Sequence, residues 1–348
     1  MFYFNNDYHH GAHPSILESL ILTNTTSYPG YGQDSWCEDA ETRIRELTCC
    51  PHAAVHFVVG GTQANALVIQ AALRSFQSPI CADTGHINVH ETGAVEAGGH
   101  KILTAPHSNG KLKAEDVDRI ATLYEASDIP EHITEPKMIC IAQSTETGSV
   151  YTKAELQSLA AVCQKHNLYL FIDGARLAYG LTSRICDLTL ADLATLADVF
   201  TIGGTKCGAL FGEAIVITNP ELNNHFRSYE KQAGAMLAKG WLLGLQFSKL
   251  LEDEGDSLRY FTLPRRANQQ AQSIAHALTD VGFSLEGECV SNQIFVRMPN
   301  EAIARLGHSI IYSYDHAIDE STSVIRLCTS WSTPEEDVEA LIDTIKSL

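Results

Sequence analysis

The chain has 348 residues, of which 45% are hydrophobic and 19% charged, and its formal net charge is −18. These values are typical of a globular protein whose core fills one large domain or two of moderate size. The acidic balance, without any cluster of Lys and Arg, argues against a nucleic-acid-binding protein, and no run approaches the roughly 20 apolar residues that span a membrane.

The ten cysteines and the N-terminus both indicate a cytoplasmic protein. The cysteines are scattered through apolar stretches, and none forms a C-x-x-C pair. We therefore interpret them as reduced thiols packed as small apolar groups, rather than as disulfides or a zinc cluster. The N-terminal residues lack the basic segment and the apolar core of a secretory signal.

Strand-like and helix-like segments alternate over the first part of the chain. The predicted strands cover residues 53–59, 78–83, 136–144, 168–177 and 198–206, and the predicted helices between them include residues 66–76 and 151–167. The strands are almost continuously apolar, which favours an α/β fold with a mostly parallel sheet covered by helices on both faces. In such sheets the carboxyl ends of the strands form the binding crevice.

The pattern changes after Pro220. A long helical stretch, interrupted near residues 233–235, extends from Glu221 to about Glu254. A helix, two strands and a final helix follow, in residues 265–283, 291–298, 323–331 and 333–348. This order predicts a smaller C-terminal α/β domain from roughly residue 245 onward.

Two helix starts carry capping signals. Thr152 is followed by Glu155 three residues on, which predicts a capping box. At the last helix we predict Thr333 as the N-cap, Pro334 at the first helical position and Glu336 closing the box.

A glycine-rich turn separates the first strand from its helix. Gly60 and Gly61, followed by Thr62 and Gln63, would let the backbone approach a ligand. The N-terminus of the following helix offers unpaired N–H groups to an anion. A phosphate fits there, although many tight turns of this kind contain glycine without any ligand.

Asp173 and Lys206 each follow an apolar strand. An unpaired carboxylate would be costly at this position, so the partner of Asp173 is either the nearby Arg176, a helix cap or a cation presented by a ligand. Lys206 is either a loop lysine with its ammonium group in water or a partly buried amine that attacks a carbonyl and forms a Schiff base.

His86 follows another strand. It is either a structural histidine or an imidazole that stacks on a ring or moves protons. His90 and Glu91 suggest a zinc site, but the H-E-x-x-H pattern is absent and no third ligand is spaced nearby, so we predict no metal. One coenzyme, pyridoxal 5′-phosphate (PLP), requires all four of these features. Its phosphate needs the glycine turn, its pyridinium nitrogen an acid, its aldehyde an amine, and its ring face an imidazole.

Eight segments resemble the motifs of the low-specificity L-threonine aldolases, in order from about Asn5 to the C-terminus. They are NNDYHHGAHPSIL, PGYGQDSWCEDAE, GGTQAN, DTGHINVHETGA, STETGSVYT, IDGARL, GGTKCGALFGEA and IRLCTSW. This family belongs to the fold-type-I PLP-dependent enzymes and to the β-eliminating-lyase superfamily. The resemblance implies an N-terminal segment (1–20) that contributes to the site and the small domain, a large PLP-binding domain (21–244) and a small C-terminal domain (245–348).

The resemblance also implies roles for individual residues. The expected catalytic residues are Lys206 as the imine lysine, Asp173 as the partner of the pyridine nitrogen, His86 as the ring-stacking residue and His132 as a second active-site histidine. The expected coenzyme-binding residues are Gly61, Thr62, Gln63, His86, Asp173, Arg176, Lys206 and Lys239, and the expected substrate-binding residues are Asn6, Tyr31, Arg176 and Arg326. Tyr31 would reach a site across a subunit interface, because family members are homotetramers built from dimers with shared active sites.

Two positions depart from the family pattern. Many members carry a phosphate-binding arginine where this chain has Leu237. Lys231 or Lys239 could supply the charge, without the forked geometry of an arginine. Asn6 and Tyr8 flank Asp7, where a serine or threonine is more usual.

The expected activity is PLP-dependent cleavage of L-threonine, L-allo-threonine and related β-hydroxy-α-amino acids into glycine and an aldehyde. His86 or His132, or a water that either positions, would remove the β-hydroxyl proton. Two alternatives stay open: a PLP lyase that performs β-elimination, and a non-catalytic PLP-binding paralogue that serves as an interaction protein. Lys206, Asp173 and His86 together argue against the second alternative, because a scaffold needs no imine lysine.

Overall fold

The computed structural model describes residues 1–348. The helices are α1 (Pro14–Thr23), α2 (Ser35–Leu47), α3 (Gly61–Ala72), α4 (His86–Val89), α5 (Ala94–Ala97), α6 (Ala114–Glu125), α7 (Lys153–His166), α8 (Leu177–Leu181), α9 (Leu190–Leu196), α10 (Phe226–Gln232), α11 (Trp241–Leu250), α12 (Arg259–Asp280), α13 (Asn300–Leu306) and α14 (Glu335–Lys346). None of them combines the length and the apolar character that crossing a membrane would demand.

The strands are β1 (Phe2–Tyr3), β2 (Ala54–Val58), β3 (Gln77–Ala82), β4 (Leu103–Ala105), β5 (Glu135–Ala142), β6 (Tyr169–Asp173), β7 (Val199–Gly203), β8 (Glu213–Ile217), β9 (Asp253–Glu254), β10 (Ser257–Leu258), β11 (Ser284–Leu285), β12 (Gln293–Pro299), β13 (Ile310–Ile311), β14 (Ser313–Ala317) and β15 (Thr322–Cys328). Seven of them form one sheet in the order β2-β8-β7-β6-β5-β3-β4. Only β8 runs against its neighbours, so the prediction of a mostly parallel sheet is confirmed.

Helices cover both faces of this sheet, because its central strands are apolar on both sides. In β6, Leu170 and Ile172 belong to one hydrophobic core, whereas Phe171 between them belongs to a second core on the opposite face. Both cores also contain residues of the covering helices, such as Leu156 of α7 in the first and Leu67 of α3 in the second. This alternation is what a strand buried on both faces requires.

The C-terminal part of the chain forms a separate four-stranded antiparallel sheet, in the order β11-β12-β15-β14, packed against α12 and α14. Its core contains Phe4, which is fully buried, and β1 pairs with β13. The two cores meet within α12, since Tyr260 and Ala267 belong to the large core and Ala271 belongs to the small one. The predicted domain division at residues 20 and 244 stays a prediction.

One of the two predicted capping boxes is present. The Thr152 hydroxyl accepts the backbone N–H of Glu155, and the Glu155 carboxylate accepts the backbone N–H of Thr152. The prediction at the last helix is wrong in detail, because α14 begins at Glu335 with Pro334 as its N-cap. The Thr333 hydroxyl instead accepts the N–H of Ser330 and closes the preceding turn.

Candidate active site

The predicted site residues follow the ends of several strands at one edge of the large sheet. Asp173 is the last residue of β6, Lys206 follows β7, and His86 follows β3 and begins α4. Gly61 begins α3 after β2, which runs parallel to β7 because both pair antiparallel with β8. The carboxyl ends of these strands therefore deliver an acid, an amine, an imidazole and a helix N-terminus to the same edge.

Asp173 is buried and held by Asn65. The Asn65 side-chain amide donates to Asp173 Oδ2 at 2.8 Å and also to Glu91 Oε1 at 2.8 Å. The second carboxylate oxygen of Asp173 accepts the N–H of Ala175 at 2.9 Å. No arginine contacts Asp173, so the alternative in which Arg176 pairs with it is wrong.

Glu91 connects this network to His86. The Nδ1–H of His86 donates to Glu91 Oε1 at 2.9 Å, and the Glu91 side chain is fully buried. Burial alone would lower the pKa of His86, but the hydrogen bond to Glu91 and the nearby charges of Glu146 and Asp173 raise it above its ordinary value. The bond also fixes the ring orientation, which a stacking imidazole needs.

The start of α3 offers an anion-binding site. The first-turn N–H groups of Gly61, Thr62 and Gln63 have no backbone acceptor, as at any helix N-terminus. A Cβ atom placed on Gly60 or on Gly61 would meet nothing within 4 Å, so there is free space beside the start of α3. A phosphate bound here would accept hydrogen bonds from the amides and gain from the helix dipole.

Lys206 lies in a tight loop after β7. The N–H groups of Gly204 and Thr205 donate to Gly212 O at 2.9 and 3.2 Å, and the Tyr179 hydroxyl donates to Lys206 O at 2.6 Å. The backbone of Lys206 is thus fixed, whereas its half-buried side-chain amine makes no hydrogen bond or ion pair with the protein. A fixed lysine with a free amine suits covalent capture of a carbonyl.

Glu213 is a buried acid beside this loop. It pairs with Gly203 of β7 and Val58 of β2 in the sheet register, and its Oε2 atom has no hydrogen-bond partner. Burial raises the pKa of Glu213 to about 8, although the charge of Lys206 acts in the opposite direction. The carboxyl group is therefore largely protonated near neutral pH.

Arg176 is occupied by the N-terminal segment. Its Nε and Nη2 donate to the two carboxylate oxygens of Asp7 at 2.7 and 3.1 Å, and both side chains are buried. Burial alone would raise the pKa of Asp7, but Arg176 and Lys206 hold it well below its usual range. Any ligand that Arg176 binds must therefore share the guanidinium group with Asp7. The half-buried Asn6 precedes Asp7 in the sequence.

Arg326 has the freer guanidinium group. Its Nη atoms contact Asn5 O, Ser313 Oγ and Gln293 Oε1 at 3.2–3.4 Å, but no carboxylate lies within ion-pair distance and its buried Nε has no partner. It lines a cleft of ≈ 560 Å³ together with Glu146 and His90. An uncompensated guanidinium in a cleft suits the carboxylate of an amino acid.

Tyr31 and Lys239 do not lie in this cleft within the subunit. Tyr31 is 46% exposed, and it lines a different pocket together with Leu237. The Lys231 ammonium lies 4.8 Å from the centre of the Tyr31 ring, and Lys239 is exposed in the segment between α10 and α11. The contribution of Tyr31 to a neighbouring subunit stays a prediction.

His132 is also separate from the cluster. It is exposed in a short 3₁₀ turn (Pro130–His132) that precedes β5, whereas the other site residues follow the carboxyl ends of parallel strands. The eight residues of β5 extend for about 25 Å. A catalytic role for His132 therefore requires that a second copy of the chain bring it to this site.

Comparison with known proteins agrees with this arrangement. Residues 23–309 match the family model of the beta-eliminating lyases. The chain belongs to this family. It is 33% identical to a low-specificity L-threonine aldolase of a Pseudomonas species, over 99% of this chain and 97% of the relative. It is 32% identical to the corresponding enzyme of Pseudomonas aeruginosa, over 99% and 96%.

Solved structures share the fold of this chain. The threonine aldolase of Leishmania major superposes with a TM-score of 0.95 at 43% identity, covering 100% of this chain and 99% of that one. The serine palmitoyltransferase of Sphingomonas wittichii has a TM-score of 0.71 at 14% identity, covering 99% and 86%, which shows the fold alone. The predictions of a fold-type-I architecture and of resemblance to threonine aldolases are confirmed.

Sequence reasoning missed the polar residues that support the site. Asn65 and Glu91 lie within the quoted segments GGTQAN and DTGHINVHETGA, and Glu213 is the second-last residue of GGTKCGALFGEA, but the sequence assigns none of them a coenzyme or substrate role. The signal available was the presence of amides and carboxylates inside otherwise apolar or glycine-rich segments. Asp7 was noted only as a neighbour of Asn6, although it holds Arg176.

Proposed function

We propose that the protein binds PLP and cleaves L-threonine, L-allo-threonine and related β-hydroxy-α-amino acids into glycine and an aldehyde. The observation that carries this proposal is the free amine of Lys206 in a fixed loop next to the strand that ends at the buried Asp173. The full-length similarity to enzymes described as threonine aldolases supports the choice of substrate.

The residues present fit the coenzyme. The open amides of Gly61, Thr62 and Gln63 would hold the phosphate, and Lys206 would hold the aldehyde carbon. Asp173 would bind the protonated pyridine nitrogen, and His86 would lie against the ring. The N-terminus of α3 would then be the anion-binding element that one chain supplies to the phosphate.

The coenzyme, when bound, supplies an electron-withdrawing ring that accepts the electrons of the broken bond. The chain's own residues do the rest. Asp173, which Asn65 holds in place, would accept a hydrogen bond from the protonated ring nitrogen. Arg326 would orient the substrate through its carboxylate, and the Lys206 amine would be available to move protons at the substrate's Cα.

We further propose a homotetramer built from dimers with shared active sites, located in the cytoplasm. Support comes from Tyr31, which is exposed outside the cleft of its own subunit, and from His132, which lies beyond the opposite edge of the sheet. Both residues would complete a site only across an interface. Lys239 would join Tyr31 there and approach the phosphate.

The test compares the purified wild-type enzyme with Lys206→Ala. Wild type should show the visible absorbance of a lysine imine and release acetaldehyde and glycine from L-threonine. Lys206→Ala should lose both the imine absorbance and turnover, because no other lysine amine is placed there. Wild-type rates in this variant, or 2-oxobutanoate and ammonia as the products from L-threonine, would refute the proposal.

A second variant separates coenzyme capture from chemistry. Asp173→Asn keeps the size of the side chain but loses the charge beside the ring nitrogen. We expect the rate of cleavage to fall much more than the affinity for PLP, since the phosphate and the imine still anchor the coenzyme. Intact cleavage in this variant would contradict the role of Asp173.

A further inference from the structure

The cleft contains one histidine–carboxylate pair that has no role so far. His90 and Glu146 line it together with Arg326, and Glu146 also lines a smaller pocket with His86 and Asp173. The pair therefore lies between the proposed anchor of the substrate carboxylate and the proposed position of the coenzyme ring. The Cα atom of a substrate held by both anchors would lie between them, and its β-carbon would lie one bond away.

The geometry suits proton transfer. His90 Nε2 lies 3.9 Å from Glu146 Oε2, and the centres of the His90 and His86 rings are 5.6 Å apart. The Glu146 side chain is only 14% exposed and makes no hydrogen bond within the chain. The His90 side chain is 56% exposed, because it faces the open cleft. A carboxylate about 4 Å from an imidazole stabilises its protonated form.

The other histidines near the site are poorer proton acceptors. His86 uses Nδ1 for Glu91, and the surrounding carboxylates help it keep its second proton. His107, which also lines the cleft, accepts the N–H of Gly110 at Nδ1 and so carries its own proton on Nε2. His132 lies beyond the opposite edge of the sheet in its own subunit, so within one chain it does not reach the cleft that His90 lines.

We propose that His90 Nε2 accepts the proton of the substrate's β-hydroxyl group, and that Glu146 stabilises the imidazolium formed. The O–H bond breaks, its electrons form the aldehyde carbonyl, and the Cα–Cβ electrons stay with the glycine fragment. A proton returned to Cα completes glycine. This inference rests on the proposed function and assigns its proton acceptor to a residue outside the predicted set.

The experiment compares two reactions of the same holoenzyme. One is cleavage of L-threonine, followed by aldehyde release. The other is exchange of the glycine α-proton with deuterated solvent, which needs Lys206 and the coenzyme but has no β-hydroxyl group. An acceptor for the β-hydroxyl proton affects only the first reaction, whereas a residue that merely supports the fold or the coenzyme affects both.

We expect His90→Asn to lower kcat for cleavage by a factor of about 100 or more, with KM and glycine exchange close to wild type. Glu146→Gln should lower kcat in the same reaction by a smaller factor. His308→Asn is the matched control, because His308 is exposed on the small domain and its side chain has no partner. It should match wild type in both reactions.

Two results would overturn the inference: wild-type cleavage by His90→Asn, or parallel loss of cleavage and exchange in that variant. His90→Gln, which is closer in size, guards against a packing artefact and should give the same split as His90→Asn. A wild-type enzyme that exchanges the glycine proton but cleaves no β-hydroxy amino acid would instead refute the proposed function.

Discussion

Asn65 uses both hydrogens of one amide group at the centre of the site. Through them it donates hydrogen bonds to Asp173 and Glu91. Both side chains are buried carboxyl groups, and the shared donor offsets part of the repulsion between their negative charges. Glu91 in turn orients His86. One neutral side chain thus fixes both the acid beneath the expected ring nitrogen and, indirectly, the imidazole expected against the ring.

A pH dependence is predicted for Glu213. Its pKa is raised by burial from 4.5 to about 8. The stability that comes with the buried neutral acid is therefore complete below pH 4.5 and is lost as the pH rises through about 8. Glu213→Gln cannot ionise, so the wild type should lose stability relative to this variant over that range, at up to about 1.4 kcal/mol per pH unit.

Urea unfolding of both proteins without coenzyme, between pH 5 and pH 8, measures this difference. Glu221→Gln, at an exposed position, controls for the loss of one carboxylate from an acidic chain. Parallel stability curves for wild type and Glu213→Gln would show that the buried group does not titrate in this range.

The residues of the site differ in how well a sequence reveals them. The sequence draws attention to Lys206 and Asp173, because a charged residue directly after an apolar strand is costly without a partner, and their roles stay predictions. Asn65 and Glu91 were not, because their importance depends on three segments meeting in space. The pairing of Arg176 with Asp7 joins residues 169 positions apart, so proximity in sequence could not exclude Arg176 as a partner of Asp173.

At the scale of elements, β6 and β7 approach each other closely where the site begins. A Cβ atom on Gly174 would lie 1.8 Å from Thr201 O, although Gly174 N donates to Thr201 Oγ1 at 2.7 Å in the native chain. This contact sets the separation between the strand end that carries Asp173 and the one that precedes Lys206. Glycine is therefore required here for space.

Gly174→Ala should destabilise the protein by about 3 kcal/mol or more, because backbone rather than a flexible side chain must move. It should also weaken PLP binding, since Asp173 and Lys206 would be forced apart. Gly11→Ala is the control, because a Cβ atom there meets nothing within 4 Å. Thermal unfolding and coenzyme titration measure both effects, and a fully stable Gly174→Ala protein would contradict the close approach.

Elements were predicted best where one physical signal dominated. The buried strands β5, β6 and β7 have continuous apolar runs, and the Thr152 box marked its helix start correctly. The predicted start of α14 is one residue too early, because Thr333 caps a turn rather than the helix. The two-residue strand β1 had no signal, since its pairing with β13 is a long-range contact.

At the scale of the whole molecule, one chain presents an incomplete set of the expected site residues. Lys206, Asp173, His86 and Arg326 belong to one edge of the large sheet and its cleft, whereas Tyr31 lies outside that cleft. If two subunits share their sites, each complete site combines Tyr31 of one copy with Lys206 of the other.

Mixing two inactive variants tests this arrangement. Tyr31→Ala and Lys206→Ala, refolded together in equal amounts, should recover about one quarter of the wild-type activity, because half of the dimers are mixed and each mixed dimer has one intact site. Each variant refolded alone is the control. Absence of recovery, despite mixed oligomers detected through two different tags, would place Tyr31 in the site of its own subunit or outside any site.

The first seven residues connect three parts of the molecule. β1 extends the small domain, Phe4 fills its core, and Asp7 neutralises Arg176 at the site. Trimming the chain at this end by an exopeptidase would therefore damage folding and catalysis in a single event. The N-terminal segment therefore links the integrity of the small domain to the neutralisation of Arg176 at the candidate site.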